Sequence, residues 1–231
     1  MFDLLQIGDT LNQAMQQVSD VKTAETISFF DLIYMGGWIM IPLGVMLLLT
    51  VYVFAERYIA IKQASKIDEN FMNIVRDHIV SGNISAARSF AKNTNNPVAR
   101  IIDKGIQRIG KPIDAIESSM DNVGQLEMYK LEKNMSLLSV VYRAAPIFGF
   151  VGTLIGLMQL FAQINEAGGE MNLAVISQGI YTKLITSITG LVIGLIAFLC
   201  HNYLNAQITR TANKMEVSSA DFLDVLQEPT K

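Results

Sequence analysis

The sequence is short of charged residues: Asp, Glu, Lys and Arg make up 17% of its 231 residues, whereas 51% are hydrophobic. Soluble domains contain about 25% charged residues. The deficit is concentrated in three stretches, 32–55, 144–165 and 184–209, which contain none of these four residue types. Each stretch exceeds the ~20 apolar residues that cross the hydrocarbon core of a bilayer. The sequence therefore predicts three transmembrane helices.

Cysteine and histidine are also scarce. The single cysteine, Cys200, excludes an intrachain disulfide and any multi-cysteine metal site. The two histidines, His78 and His201, are far apart in the sequence, and no phosphate-binding loop, nucleophile elbow or metal-ligand cluster is present. We therefore expect no enzyme activity, no metal and no cofactor. The net charge of −3 gives no indication of nucleic-acid binding.

The most informative absence is that of acidic residues from the predicted spans. Proton relays through membranes use Asp, Glu or His side chains, and the three stretches hold only His201, at the end of the third. If the protein conducts protons, the titrating carboxylate must come from a partner. This favours one subunit of a hetero-complex over a self-sufficient carrier.

Basic residues mark the cytoplasmic side of a membrane protein. Residues 56–136 contain twelve Lys and Arg, whereas the connection 165–172 contains two acids and no base. We therefore expect the N-terminus and this connection to lie outside the cytoplasm, and residues 56–136 and the C-terminal tail to lie inside. The N-terminus also lacks the basic start of a signal peptide. The predicted layout is a periplasmic amphipathic helix at 1–33, spans at 34–56, 137–164 and 173–204, a cytoplasmic helical domain at 57–136, a periplasmic loop at 165–172, and a cytoplasmic helix and tail at 205–231.

This layout predicts an all-α protein in which two spans extend far into the cytoplasm. The stretch from Ile113 to Gln163 contains no residue expected to stop a helix after Gln125, so one helix of about 75 Å is predicted there. The third span is predicted to continue along an apolar stripe. The stripe consists of Leu204, Ile208, Met215, Phe222 and Leu226. A chain break is expected before Pro97.

Small and polar residues interrupt the apolar spans. Gly152 with Gly156, and Gly190 with Gly194, form GxxxG pairs that let another helix approach closely. Ordinary packing within one bundle explains these pairs as well as any other contact does. Pro146 removes a helical hydrogen bond and predicts a kink. Hydroxyls in membrane helices often bond only to their own backbone, but together they can also line a hydrated path. The candidates for that path are Thr153, Thr182, Thr186, Ser187 and Thr189, with Pro146 beside them.

Lys183 and Arg143 are the two basic residues inside the predicted spans. Snorkelling towards the two membrane surfaces explains both residues, and a functional role for either remains open.

Five segments together resemble the ExbB/TolQ/MotA proton-channel family, and its ExbB members most. They are Glu56-Arg57, Asn96-Pro-Val-Ala-Arg100, Ala145-Pro-Ile-Phe-Gly-Phe-Val-Gly-Thr-Leu-Ile-Gly156, Gly179 to Leu191, and Asn202-Tyr203. The resemblance implies a homopentamer in the inner membrane, among lipids, whose second and third spans surround the helices of an ExbD-like, single-span partner. That partner supplies an aspartate, and a TonB-like protein carries the work to outer-membrane transporters.

The resemblance assigns Thr153 to the pore position of the second span. Ser187 stands where the family usually has a threonine, and this keeps the hydroxyl. Thr182 stands where ExbB and TolQ usually have a glutamate, and Lys183 follows it, which indicates a divergent member. Three alternatives stay open: a TolQ-like or other motor subunit driving a different envelope process, a transporter, and a non-conducting scaffold. MotA itself fits less well because it has four spans.

Overall fold

The computed structural model describes residues 37–68, 70–166, 168 and 173–227; the side chains of 173–175, 178 and 182 lie outside this description. The described part consists of helices and contains no strand. After a 3-10 turn at Gly37–Ile39, the α-helices are α1 (Met40–Ser65), α2 (Phe71–Val80), α3 (Ile84–Asn93), α4 (Pro97–Ile106), α5 (Ile113–Leu131), α6 (Met135–Glu166) and α7 (Leu173–Gln227).

Three of these helices, α1, α6 and α7, are long and apolar enough to cross a membrane, which confirms the prediction of three spans. Within their most apolar windows only 22%, 28% and 33% of the residues are buried. Large apolar side chains therefore cover the outer surface, as expected for helices that face lipid or other subunits. The amphipathic helix predicted at 1–33 lies outside the described residues, as does most of the predicted loop at 165–172.

The described chain has two apolar cores. The first lies among the three spans, in a region that we call the span bundle, and consists of Met40, Leu43, Val141, Ala145, Ile185, Ile193 and Ala197. The second joins α2–α5, which we call the loop domain, to the distal halves of α1 and α7 and to the start of α6 at Met135 and Leu138. Its largest side chains include Phe71, Phe222, Ile102 and Met120. The loop domain is thus attached to all three spans by a continuous core.

Asparagines begin two of the short helices. The side-chain oxygen of Asn83 accepts a hydrogen bond from the backbone N–H of Ala86 (3.2 Å) at the start of α3. Asn96 does the same for Val98 (2.9 Å), and Pro97 follows as the first residue of α4. The break expected before Pro97 therefore separates α3 from α4.

The prediction of one helix from Ile113 to Gln163 is wrong. The structure has two helices there, α5 and α6, separated at residues 132–134, and Asn134 adopts a left-handed conformation with φ 63°. Asparagine tolerates this conformation better than most residues, and its side-chain amide donates to Glu56 Oε2 on α1 (3.0 Å). The break thus depends on a partner 78 residues away in sequence, which local pattern does not show.

Helix α7 runs without interruption for 55 residues, about 80 Å at 1.5 Å per residue. Its stripe residues Leu204, Ile208, Met215 and Phe222 are all buried against α1 and the loop domain. The third span therefore extends well beyond its apolar window. The second span does not extend as one helix, because its continuation is the separate helix α5.

Candidate functional site

The candidate site lies between α6 and α7, which contact each other more extensively than any other pair of described helices. Their closest approach is at Gly149 and Gly190. A Cβ atom built on Gly190 would lie 2.6 Å from the carbonyl oxygen of Ala145 and 2.8 Å from the Cα of Gly149. Because these neighbours are backbone atoms, they have little freedom to move aside. The two helices therefore touch backbone to backbone.

All four GxxxG glycines lie at this contact. A Cβ atom on Gly194 would lie 2.7 Å from the Pro146 ring, and one on Gly152 would lie 2.7 Å from the Thr186 methyl group. Gly156 faces the aliphatic stem of Lys183. Within one chain, the GxxxG pair of α6 therefore contacts α7, and the GxxxG pair of α7 contacts α6.

Pro146 lies inside α6, and the helix continues through it from Met135 to Glu166. A proline cannot donate to the carbonyl four residues earlier, which is that of Tyr142. This carbonyl faces Gly194, where an added Cβ would lie 3.3 Å away. Gly194 therefore leaves room beside the Tyr142 carbonyl, which lacks its helical hydrogen bond because of Pro146.

The predicted hydroxyl face divides into two groups in the single chain. Thr153 and Thr186 are buried, at 6% and 2% exposure, whereas Ser187 and Thr189 are half-buried. The side chain of Thr182 lies outside the described residues. The first pair belongs to the interior of the bundle, and the second pair reaches its surface.

Two of these hydroxyls donate to their own helix. Thr153 Oγ1 donates to the Phe150 carbonyl (2.6 Å), and Thr189 Oγ1 donates to the Ile185 carbonyl (2.9 Å). Such bonds satisfy the hydroxyl proton within the helix and leave the oxygen lone pairs able to accept. These hydroxyl oxygens can therefore accept a hydrogen bond from a proton donor, although the groups themselves carry no charge.

Lys183 crosses the contact and borders a cleft of about 560 Å³ between the start of α1 and helices α6 and α7. The cleft is also lined by Trp38, Gln159 and Thr186. Among the described residues no ion pair involves Lys183. Its aliphatic stem packs on Gly156, as expected for a lysine that buries its stem along apolar surface.

Arg143 lies near the opposite end of the same helix pair and is exposed. Its Nε donates to the Tyr142 hydroxyl (3.2 Å), and its guanidinium carbon lies 5.4 Å from the centre of that ring. The ring of His201 lies 5.4 Å from the same tyrosine. Arg143 is therefore held by a neighbouring aromatic side chain and does not contact the hydroxyl face.

A family model described as the MotA/TolQ/ExbB proton channel family matches residues 93–217, more than half of the chain. The chain belongs to this family. It is similar to a putative ExbB homologue of Methanothermobacter thermautotrophicus (29% identical over 122 residues, 53% of this chain and 43% of the relative). It is also similar to an ExbB-like protein of Synechocystis (24%, covering 76% and 84%) and to ExbB of Helicobacter pylori (30%, covering 36% and 57%). The first match thus spans less than half of that relative's length.

Membership of the MotA/TolQ/ExbB family confirms the resemblance drawn from the sequence and fits a membrane protein of the channel class. The matched range begins at Asn93 and covers α4 to α7. It therefore includes the whole contact between α6 and α7, together with the two motifs Asn96–Arg100 and Ala145–Gly156 that carried the resemblance.

The first of these motifs has a structural role that its sequence did not reveal. Asn96 is 1% exposed, and besides capping α4 its side-chain amide donates to the carbonyls of Ala64 (2.8 Å) and Lys66 (2.9 Å). The last carbonyls of a helix have no partner within it. One asparagine thus begins α4 and completes the end of α1, which fixes the loop domain to the first span.

Arg100, at the other end of that motif, donates to the carboxylate of Glu127 (2.6 Å) on α5, and Lys130 bonds the second oxygen (2.7 Å). The Glu127 side chain is only 4% exposed. Burial raises the pKa of Glu127, but the bonds from Arg100 and Lys130 outweigh this effect, so the pKa lies below its usual value. The carboxylate is charged at neutral pH and ties α4 to α5.

Glu56 and Arg57 hold the break between α5 and α6. Arg57 is 6% exposed and donates to Glu56 Oε1 (2.6 Å) and to the carbonyl of Lys130 (3.1 Å), near the end of α5. Glu56 Oε2 accepts from Asn134. Sequence analysis noticed this dipeptide only as a family match. The signal available in the sequence was a charged pair at the end of an apolar stretch. Nothing in the local pattern linked this pair to Asn134 or to the end of α5.

Proposed function

We propose that the chain is the channel subunit of an ion-driven motor in the bacterial inner membrane. The chain belongs to a proton-channel family. The observation that carries the proposal is that its three long apolar stretches, 32–55, 144–165 and 184–209, contain no Asp or Glu. A proton crossing these spans needs a titrating side chain. We therefore assign that group to a single-span, ExbD-like partner whose aspartate takes up and releases the ion.

The proposed ion path follows the hydroxyls of α6 and α7. Ser187 and Thr189 reach the bundle surface, where a partner helix has access to them, and Thr153 lies one layer further inside. Their oxygens can accept hydrogen bonds from water or from a protonated carboxyl. Pro146, Thr182 and Thr186 belong to the same proposed path. Close glycine packing gives these helices a fixed spacing, which supports a path of constant width.

We propose a homopentamer around the partner helix, with the N-terminus in the periplasm and the loop domain in the cytoplasm. The pentamer rests on the family resemblance. The orientation rests on the bases of residues 56–136 and the acids of 165–172. The largely exposed apolar surface of the spans suits contact with lipids and with neighbouring subunits.

The driven process is proposed to be TonB-dependent transport across the outer membrane, by analogy with the relatives named as biopolymer transport proteins. A motor that drives a different envelope process is the second candidate. Thr182 in place of the usual glutamate favours it, since the loss of this acid changes the standard route. Lys183, packed on Gly156 beside that position, adds a charge of the opposite sign.

The test uses the complex obtained by co-expression with a single-span, aspartate-bearing partner. We expect its native mass to fit five copies of this chain with a few copies of the partner. Reconstituted in liposomes that contain a pH-sensitive dye, it should conduct protons. The double variant Thr153→Val with Ser187→Ala should abolish the flux, because both substitutions remove an acceptor oxygen, while the native mass stays unchanged.

The matched control is Thr209→Val with Ser89→Ala, which removes the same two hydroxyl types at exposed positions away from the contact between α6 and α7. The control complex should conduct like the unmodified one. Flux that persists in the Thr153 and Ser187 variant would refute the proposed path. A stable monomer or dimer that binds no partner would refute the motor itself.

A further inference from the structure

A second cavity lies away from the contact between α6 and α7. It is a groove of about 290 Å³ between the distal half of α1 and the middle of α7. Its lining includes Tyr58, Lys62 and Lys66 from α1 and the turn after it, and Tyr203 and Gln207 from α7. On α1 these positions recur every three to four residues, so they form one stripe that faces the groove.

The position of the groove along α1 matches the edge of a bilayer. Trp38 precedes Tyr58 by 20 residues, which is about 30 Å of helix and about the thickness of a hydrocarbon core. Trp and Tyr are enriched at the two surfaces of a membrane. With Trp38 at one surface, Tyr58 and Tyr203 lie at the level of the headgroups on the other.

The groove is positively charged. Lys62 and Lys66 are exposed, and the ammonium nitrogen of Lys62 lies 5.5 Å from the centre of the Tyr58 ring. Outside the lining, Lys214 on α7 donates from its Nζ to the carbonyl oxygen of Ser65 (3.4 Å), a residue that lines the groove. No carboxylate lines the groove, and among the described residues these lysines form no ion pair.

The nearest acid along α1, Glu56, is already engaged. Its two carboxylate oxygens accept hydrogen bonds from Arg57 and from Asn134, respectively. Among the described residues no ion pair to either lysine of the groove is present. Both lysines are therefore available to pair with an anion from outside the chain.

We propose that this groove is a binding site for the headgroup of an anionic phospholipid. The lysines pair with its phosphate, and the tyrosine hydroxyls and the Gln207 amide provide further donors. Towards the membrane interior the groove continues into apolar surface at Phe54 and Leu199, which suits acyl chains. This continuity selects a lipid over a soluble phosphate. The site is independent of the proposed ion path.

The test places a tryptophan beside the groove without altering its lining. Trp38 is the only tryptophan in the sequence, so Trp38→Phe with Leu199→Trp leaves a single reporter one helical turn before Tyr203. The full chain is reconstituted in vesicles that contain brominated phosphatidylglycerol or brominated phosphatidylcholine. Quenching by the two lipids gives their relative affinity for this position.

We expect the reporter to favour phosphatidylglycerol by at least about fivefold, and Lys62→Gln with Lys66→Gln to remove most of this preference. The matched control, Lys104→Gln with Lys111→Gln, removes the same charge from the loop domain and should leave the preference intact. Native mass and far-UV circular dichroism verify that each variant is folded. An excess of inorganic phosphate should not relieve the quenching.

Equal quenching by the two lipids would overturn the proposal, as would a preference that survives removal of both lysines. An equal loss in both lysine pairs would attribute the preference to overall charge and would refute a built site. Absence of quenching by either lipid would show that protein covers the groove. Relief by inorganic phosphate would identify a soluble-anion site and would refute the lipid.

Discussion

At the loop domain, the Phe222 ring of α7 fills the space beside Gly105 of α4, where a Cβ atom would lie 2.5 Å from the ring. In the span bundle Gly190 instead brings the α7 backbone against the backbone of α6. The first core excludes water from large side chains and gains hydrophobic free energy. The second is surrounded by apolar material, so it depends on close van der Waals contact. Glycine therefore makes room for a large side chain in the first region and for a neighbouring helix backbone in the second.

Polar groups differ between the two regions in the same way. The loop domain contains ion pairs that cross between helices, such as Arg100 with Glu127. In the span bundle the hydroxyls of Thr153 and Thr189 donate to their own helices. Away from water, a polar group that bonds within its own helix needs no partner elsewhere. Close helix packing thus stabilises the span bundle, whereas buried side chains and ion pairs stabilise the loop domain.

The largest effect is expected from removing the α7 ring that packs in the core of the loop domain. Phe222→Ala should lower the free energy of unfolding of this region by about 3 to 5 kcal/mol, because the side chain is 0% exposed and leaves a cavity. Hydrogen exchange of α4 and α5 peptides in detergent measures the loss. Phe161→Ala, at 64% exposure on α6, removes the same ring from the outer face of the bundle. Equal losses in the two variants would show that the regions are not packed differently.

Adding one carbon to the bundle is expected to have the next largest effect. Gly190→Ala should destabilise the contact between α6 and α7 by about 1 to 3 kcal/mol, because the methyl group meets backbone atoms that cannot yield. The midpoint of thermal unfolding in detergent reports the change. Gly44→Ala is the control within the same bundle, since its Cβ would have no neighbour within 4 Å. A Gly190 variant as stable as the control would contradict backbone contact.

The smallest expected effect is the pH dependence of the stability that Glu127 contributes. The pKa of Glu127 is lowered in the folded chain, so its contribution to stability is present at neutral pH. It is lost as pH falls through the folded pKa, below the usual value of about 4.3. We expect about 1 kcal/mol, reduced because Arg100 and Lys130 are partly exposed. Glu127→Gln should be less stable at pH 7, and its deficit should shrink as pH falls. A deficit independent of pH would refute the charged pairing.

The spans were predictable from sequence because the cost of placing a charge in hydrocarbon acts on each residue separately. The stripe on α7 was predictable for a similar reason, since Leu204 to Phe222 keep a helical period. The break at Asn134 was not, because its partners Glu56 and Arg57 belong to another helix. Lys183 was recognised as a charge near the span, but its contact with Gly156 required the register of two helices.

The sequence by itself determined three charge-free stretches, the all-α class, the family and the absence of an acid from those stretches. These properties follow from composition, helical period and motif, which are local. Only the tertiary structure decided that the GxxxG pairs of α6 and α7 meet each other and that Asn96 joins α4 to α1. It alone brought Lys62 and Lys66 beside Tyr203 and Gln207 in one groove. Such contacts depend on the relative position of helices that lie far apart in the chain, and many arrangements share the same local pattern.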